Sequence, residues 1–284
     1  MNTARWGPIW WRALHGLPWL MCADRGDYEI GDAAADASPR LPSMGAVADD
    51  EAASGRCVRC TPARRHLAIA LTLRFADVLP CADCRQSFAR LLAHTPPDAI
   101  WGDEPPCRRH RWARFLSDAH DAVTRDVNKT AATGARWTTK RLYDTYGGDD
   151  ADVRLQSVVA LWHVIMMAAW NFERRTTETE HERQRAYAAF YGAVDDWWRV
   201  AIDHEGLFRA DAGGAMPSEP SGDAWKRWTY AQYEAWYVRN GEPANAPPPC
   251  ARRLNEWYET MREPDGACTL SPVDGSIRCV TGGE

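Results

Sequence analysis

The sequence predicts an all-α protein, and three observations lead to that fold class. Apolar residues recur every three or four positions in most of the 284-residue chain, which is the spacing of one face of a helix. Clusters of Pro and Gly separate these segments and mark the ends of helices. The apolar–polar alternation that is typical of strands is not found before the C-terminal tail.

The N-terminal part is expected to form a four-helix bundle with a short fifth helix. The second helix should end before Pro80, and the third should begin at Cys81 and stop at the prolines after Thr95. Thr138 or Thr139 is a suitable N-cap for the fifth helix. The predicted helices cover about 6–20, 67–79, 81–94, 109–127 and 138–146.

A boundary between two domains is expected at 147–150, where two glycines precede two aspartates. The first domain would then cover 1–148, with a long loop or insertion over 23–62 that is rich in Gly, Ala, Asp, Ser and Pro. The second, over 149–284, is an additional helical domain of unknown role. Its predicted helices cover about 152–174, 178–205, 221–239 and 251–262.

Charge and hydropathy argue against two classes of partner. The chain has 34 basic and 39 acidic residues, a net charge of −5 and no long run of either sign, so no nucleic acid is expected. The start lacks the apolar core of a signal peptide. The most apolar segment, 155–172, is interrupted by polar residues such as Gln156 and His163, so it predicts a buried core helix and no membrane span.

The most informative motif is Pro80-Cys81-Ala82-Asp83-Cys84, a CxxC at the predicted start of a helix. The positive end of a helix lowers the pKa of a thiol there, so one sulfur can be a thiolate at neutral pH. This arrangement is typical of thiol–disulfide exchange. Two segments that contain aromatic and histidine residues lie on either side of it, Trp6 to His15 and Phe115 to Lys129.

Three motifs in one order resemble those of the Erv/ALR family of FAD-dependent sulfhydryl oxidases. The first is Trp6-Gly7, Trp11 and Leu14-His15, and the second is the CxxC after Pro80, with Phe88 four residues beyond it. The third runs from His120 to Lys129, although Asp121 and Thr124 replace two asparagines of the family pattern. The match covers about 5–146. The added C-terminal half looks like that of oxidases from large double-stranded DNA viruses.

The resemblance implies an enzyme, a thiol oxidase that forms disulfides in protein substrates. Electrons would pass from client thiols to Cys81 and Cys84, then to FAD and O₂, which gives H₂O₂. Cys81 would be the sulfur that incoming thiolates attack, and Cys84 the one next to the flavin. The residues that the resemblance implies for FAD binding are Trp6, Gly7, Trp11, His15, His120, Val123, Thr124, Val127, Lys129, Trp137 and Tyr143.

Two further cysteine pairs have candidate roles among the nine cysteines. Cys57 and Cys60 form a second CxxC. It is either a shuttle disulfide of the kind that family members use, or a local disulfide or two idle thiols. Cys268 and Cys279 flank a turn signal and are expected to meet as a structural disulfide across a hairpin, with a second relay as the alternative.

A different class of function also fits the cysteines. Cys57, Cys60, Cys81 and Cys84 form two CxxC pairs separated by 20 residues, a spacing that suits a Cys₄ zinc-binding structural or interaction module. A thioredoxin-like reductase or isomerase is a second alternative, although it requires strands around its CxxC. A structural virion protein with a relic redox site is a third.

The oxidase interpretation carries expectations about partners and location. The partners would be thiol-containing protein substrates, directly or through a thioredoxin-like carrier, together with O₂ and a second copy in a homodimer. No metal is expected. Without a signal peptide, the expected location is the cytoplasm, which for a virus means the host cytoplasm or virus factory, or else the virion.

Overall fold

The computed structural model describes residues 3–20, 62–96, 109–126, 139–147, 151–174, 179–202, 205–241, 250–260, 268–270 and 277–279. Within these ranges the protein is helical except for one pair of three-residue strands, so the predicted all-α class is confirmed. Most of the predicted insertion at 23–62 lies outside them.

The helices of the N-terminal part agree with the prediction to within a few residues, except that the second begins earlier than expected, at Pro62. Proline is well suited to the first turn of a helix because its missing N–H has no partner there. The elements are α1 (Thr3–Leu20), α2 (Pro62–Val78), α3 (Ala82–His94), α4 (Arg109–Asp126) and α5 (Thr139–Leu142), which continues as a π-helical turn, Tyr143–Gly147.

The C-terminal half contains the four predicted helices. The first of them ends in a short 3₁₀ turn, and the start of the second is fixed by a capping box in which Thr179 and Glu182 bond each other's backbone N–H. The elements are α6 (Ala151–Asn171), the 3₁₀ turn (Phe172–Arg174), α7 (Glu180–Ala201), α8 (Gly222–Arg239) and α9 (Ala251–Thr260).

Helix α1 packs mainly against α6, and the two backbones come close at Gly16. A Cβ atom on Gly16 would lie 2.4 Å from Cβ of Ser157 on α6, which is far inside van der Waals contact. Glycine is therefore the residue that permits this crossing.

One continuous buried cluster joins the two halves of the chain. Helix α2 packs on α7 and α6 packs on α8, and the rings of Phe75 on α2 and Phe190 on α7 meet edge to face at 5.4 Å. Many of the tryptophans belong to this cluster, where each buries a large apolar area. The domain boundary at 147–150 stays a prediction, but the core continues across it.

Two polar side chains, one half-buried and one buried, hold the connection between α7 and α8. Asp195 accepts hydrogen bonds from the backbone N–H groups of Leu207 (2.8 Å) and Phe208 (3.0 Å). Gln232, which is 1% exposed, accepts from the N–H of Arg209 at 2.7 Å and donates to the carbonyl of Arg209 at 2.8 Å. These bonds satisfy backbone groups that no helix pairs.

The two strands are β1 (Cys268–Leu270) and β2 (Ile277–Cys279), which pair antiparallel with Cys268 opposite Cys279. This register confirms the predicted hairpin. The disulfide expected between the two cysteines stays a prediction, because their side chains lie outside the description.

Helix α6 is the one described helix that is long and apolar enough to cross a membrane, over Asp152–Asn171, by length and composition alone. Of this segment, 72% is buried inside the protein, as in the core helix of a folded domain. That the chain has no membrane span stays a prediction.

Candidate functional site

Cys81 and Cys84 lie at the start of α3, in the positions that the sequence predicts. Cys81 is the N-cap, with extended backbone (φ −97°, ψ 128°), and its sulfur accepts a hydrogen bond from the N–H of Cys84 at 3.2 Å. A side chain that caps a helix in this way satisfies one of its unpaired N–H groups. Cys81 is half-buried and Cys84 is buried, so Cys81 is the more accessible sulfur.

The local hydrogen bonds lower the pKa of the Cys81 thiol from 9.0 to about 7. The largest cause is a hydrogen bond from the Cys84 side chain, and the N–H groups of Cys84 and Asp83 add to it. Burial and the carboxylate of Asp83 act in the opposite direction. At pH 7 roughly half of this thiol is therefore a thiolate, which is the nucleophilic form.

Trp11 is the point at which the three motif helices meet. Its ring stacks on His120 of α4 at 4.2 Å with an angle of 15°, and it meets Phe88 of α3 edge to face at 6.1 Å. Phe88 lies four residues after Cys84, and so on the same face of α3. The structure thus brings residues of all three motifs into one cluster of rings beside the CxxC helix.

A pair of histidines joins α1 to α4 inside this cluster. Nε2 of His15 lies 3.2 Å from Nδ1 of His120, a hydrogen-bond distance. Burial, with a smaller contribution from the charge of His120, lowers the pKa of His15 to about 3, so its ring is neutral at pH 7. On its other side, His15 stacks on the ring of Tyr146 at 4.9 Å.

Tyr146 belongs to the same cluster of rings, although none of the three sequence motifs contains it. It lies in the π-helical turn, a kind of local distortion that is frequent at functional sites. Burial raises the pKa of its hydroxyl, while Arg12 and Arg141 act in the opposite direction. The signal available in the sequence was an aromatic residue one turn after Tyr143.

Other predicted site residues lie apart from this cluster or outside the description. Trp6 is 4% exposed and packs edge to face on Trp10 at 5.9 Å, which in turn packs on Phe75. Gly7 is buried on α1, and Val123 is half-buried on α4. Thr124 lies on α4 and Tyr143 in the π-helical turn, but their side chains are not described. Outside the described residues lie Val127, Lys129, Trp137, Cys57 and Cys60.

One buried polar atom of the ring cluster is compatible with a bound ligand such as FAD. Nδ1 of His15 is buried and has no hydrogen-bond partner in the described part of the chain. A buried polar atom of this kind requires an explanation, and a ligand atom is one. Several core tryptophans also have a buried ring nitrogen without a partner among the described residues. The argument for a ligand therefore rests on His15, because His15 belongs to the ring cluster. Trp11 and His120 are in direct contact, so the ligand would not lie between those two rings.

The zinc alternative is tested only in part. Over the described ranges, no group of three or more Cys, His, Asp or Glu side chains is placed to hold a metal ion. Two of the four predicted ligands, Cys57 and Cys60, lie outside those ranges, so the Cys₄ module stays an untested alternative.

No family model matches this chain, and neither a curated protein nor a solved structure is significantly similar to it.

Proposed function

We propose that this protein is an FAD-linked thiol oxidase that forms disulfides in client proteins through Cys81 and Cys84. The observation that carries the proposal is a helix-capping thiol whose pKa is about 7, on a helix that also contacts the Trp11–His120 ring pair. A thiol oxidase needs an acidic thiol and aromatic rings that can hold a flavin near it.

The exchange steps follow from the different exposure of the two sulfurs. In the oxidised protein, a client thiolate attacks Sγ of Cys81, the Cys81–Cys84 bond breaks, and Cys84 leaves with the electron pair as a thiolate. A second client thiolate then attacks the client sulfur of the mixed disulfide, and Cys81 leaves. The low pKa of Cys81 makes it a good leaving group. Two client thiols lose two electrons and two protons, and the protein pair becomes a dithiol.

The return to the disulfide releases two electrons and two protons from Cys81 and Cys84. FAD, when bound, accepts electron pairs and passes them to O₂, which with two protons becomes H₂O₂. We propose that Trp11, His15 and His120 hold it, together with the other residues that the family motifs name. Neutral His15 can offer a hydrogen-bond donor or acceptor at Nδ1, depending on which ring nitrogen carries the proton.

We also propose the finer features that the family resemblance implies. The contacts of α1 with α4, of α2 with α3 and of α3 with α4 support an Erv/ALR-like bundle. The shuttle pair Cys57–Cys60, the homodimer and the cytoplasmic or virion location are proposals that rest on the sequence alone. The Cys268–Cys279 disulfide is a proposal that the register of β1 and β2 also supports.

The test is an absorption spectrum of the purified protein combined with oxygen uptake in the presence of a dithiol. We expect bound flavin in the wild type and in Cys84→Ser, and a loss of oxygen uptake of at least about 100-fold in Cys84→Ser, because its resolving sulfur is missing. Cys250→Ser is the matched control, since Cys250 is an exposed cysteine outside the site.

Two outcomes would contradict the proposal. One is a protein that neither contains flavin nor takes it up when FAD is added. The other is full oxygen uptake in Cys84→Ser. If the colourless protein contains one zinc ion per chain, that is, one per pair of CxxC motifs, the Cys₄ module replaces the oxidase as the interpretation.

A further inference from the structure

The dipeptide before the CxxC is held by side-chain donors. Leu79 and Pro80 lie between α2 and α3. The first backbone hydrogen bond of α3 runs from the N–H of Arg85 to the carbonyl of Cys81, so the carbonyls of Leu79 and Pro80 are not part of the helix hydrogen-bond pattern. Nη1 of Arg85 donates to the carbonyl of Leu79 at 2.7 Å. The carbonyl of Pro80, which is bonded directly to the nitrogen of Cys81, accepts from Nδ2 of Asn171 at 3.4 Å.

The donor to Pro80 comes from the other half of the chain. Asn171 is the last residue of α6, it is 2% exposed, and it is separated from Pro80 by 91 positions in the sequence. A polar side chain at the end of the most apolar helix is costly to bury unless it is hydrogen-bonded. The bond to Pro80 is therefore a specific contact of the C-terminal half with the redox motif.

The next residue fixes the position of Asn171. Phe172 is buried and meets the ring of Tyr187 on α7 edge to face at 4.9 Å. The guanidinium of Arg183, also on α7, lies 5.5 Å from the centre of the Phe172 ring, in cation–π contact. The end of α6 is thus packed on α7, and this packing fixes the place from which the amide of Asn171 reaches Pro80.

We propose that Asn171 is a positioning residue for the Cys81–Cys84 thiols, and that through it the C-terminal half controls their reactivity. This inference rests on the proposed function, in which these two thiols are the reactive pair. Asn171 holds the peptide between Pro80 and Cys81, and this peptide orients Cys81 so that its sulfur reaches the N–H of Cys84 at 3.2 Å. When the peptide is released, the sulfur loses alignment with that N–H and the thiolate is less stabilised.

The test measures the rate of iodoacetamide alkylation of Cys81 against pH in the reduced protein, with the Cys81 peptide followed by mass spectrometry. Asn171→Asp keeps the size of the side chain but removes the donor at neutral pH. We expect the rate of Cys81 alkylation in this variant to rise at a higher pH than in the wild type. A rise of one unit in the pKa of Cys81 corresponds to a rate about fivefold lower at pH 7. Asn171→Ser, which is too short to reach Pro80 and brings no charge, should move the profile in the same direction.

Asn240→Asp is the matched control. Nδ2 of Asn240 also donates to a backbone carbonyl, that of Trp236 at 2.8 Å, but at the end of α8. We expect its alkylation profile to match that of the wild type. Circular dichroism at the assay temperature shows whether each variant is folded, and Asn171→Ser replaces Asn171→Asp if the latter does not fold.

An unchanged profile in folded Asn171→Asp or Asn171→Ser overturns the inference, even if the variant unfolds more easily, because a purely structural role would change stability alone. The assay uses neither flavin nor oxygen. A displaced profile in a protein that binds no FAD would therefore contradict the proposed oxidase and support the positioning role, while an active flavoprotein with an unchanged profile would do the reverse.

Discussion

At the scale of single residues, buried His15 and half-buried His163 make the stability of the protein depend on pH. Burial lowers the pKa of His15 to about 3 and that of His163 to about 4. The unfolded chain binds a proton at each site near pH 6.5, but the folded protein does so only at much lower pH. The contribution of the two neutral histidines to stability is therefore fully present above about pH 6.5. It is lost as the pH falls toward 4 for His163 and toward 3 for His15. Each histidine is expected to remove about 2 kcal/mol from the free energy of unfolding between pH 7 and pH 5.

The variant that separates this effect from acid titration in general is His163→Gln, since glutamine does not titrate. His163 is packed on the ring of Trp257, outside the redox site. Urea unfolding of His163→Gln at pH 7 and pH 5 should show a loss smaller than that of the wild type by about 2 kcal/mol. His181→Gln, at an exposed position of α7, is the control and should keep the loss of the wild type. An equal loss in all three proteins would show that His163 takes up a proton in the folded state.

At the scale of helices, the approach of α1 to α6 depends on the missing side chain of Gly16. Gly16→Ala places a Cβ atom 2.4 Å from that of Ser157, so the helices must separate. We expect the free energy of unfolding to fall by about 1–3 kcal/mol, the usual cost of an overpacked contact. Gly192→Ala is the control on α7, because a Cβ atom at Gly192 meets nothing within 4 Å. It should leave stability unchanged or raise it by up to about 1 kcal/mol.

A double variant tests whether the clash itself is responsible. Ser157→Gly removes the atoms that a side chain at position 16 would meet. Gly16→Ala should therefore cost less in a Ser157→Gly background than in the wild type, as chemical denaturation of the four proteins would measure. Equal costs in both backgrounds would mean that the two helices do not meet at these positions.

At the scale of the whole molecule, the shared core predicts that the two halves unfold together. Phe75 and Phe190 are fully buried against each other, one from each side of the expected domain boundary. Phe190→Ala should lower the free energy of unfolding by about 3–5 kcal/mol, the typical cost of such a cavity. In a urea titration, alkylation of buried Cys84 in the N-terminal half should become fast in the same transition that changes the tryptophan fluorescence.

The outcome that would contradict a shared core is a separation of these two signals. If Cys84 became reactive well before or after the main change in fluorescence, the halves would be independent folding units, as the boundary at 147–150 suggests. Val238→Ala on α8 is the control for Phe190→Ala. The Val238 side chain is 70% exposed, so its truncation should leave the midpoint of urea unfolding unchanged.

The helices and the redox motif could be predicted because their signals are local. Apolar spacing, prolines and capping residues are read within one or two turns, and so the prediction of a helix from Cys81 to about His94 agrees with α3 to within one residue. The stacking of His15 on Tyr146 could not be predicted, because no local pattern states which rings meet. The bond from Asn171 to Pro80 was missed for the same reason, since it joins residues 91 positions apart.

The sequence by itself determined which segments are helical and which two thiols lie at a helix start, because both depend on neighbours within a few residues. The tertiary structure decided that Trp11, His120 and Phe88 form one cluster, and that the C-terminal helices share a core with the N-terminal ones. These features depend on how apolar faces pack in three dimensions. Many arrangements bury similar apolar area, and only close fit, as at Gly16 and Ser157, selects among them.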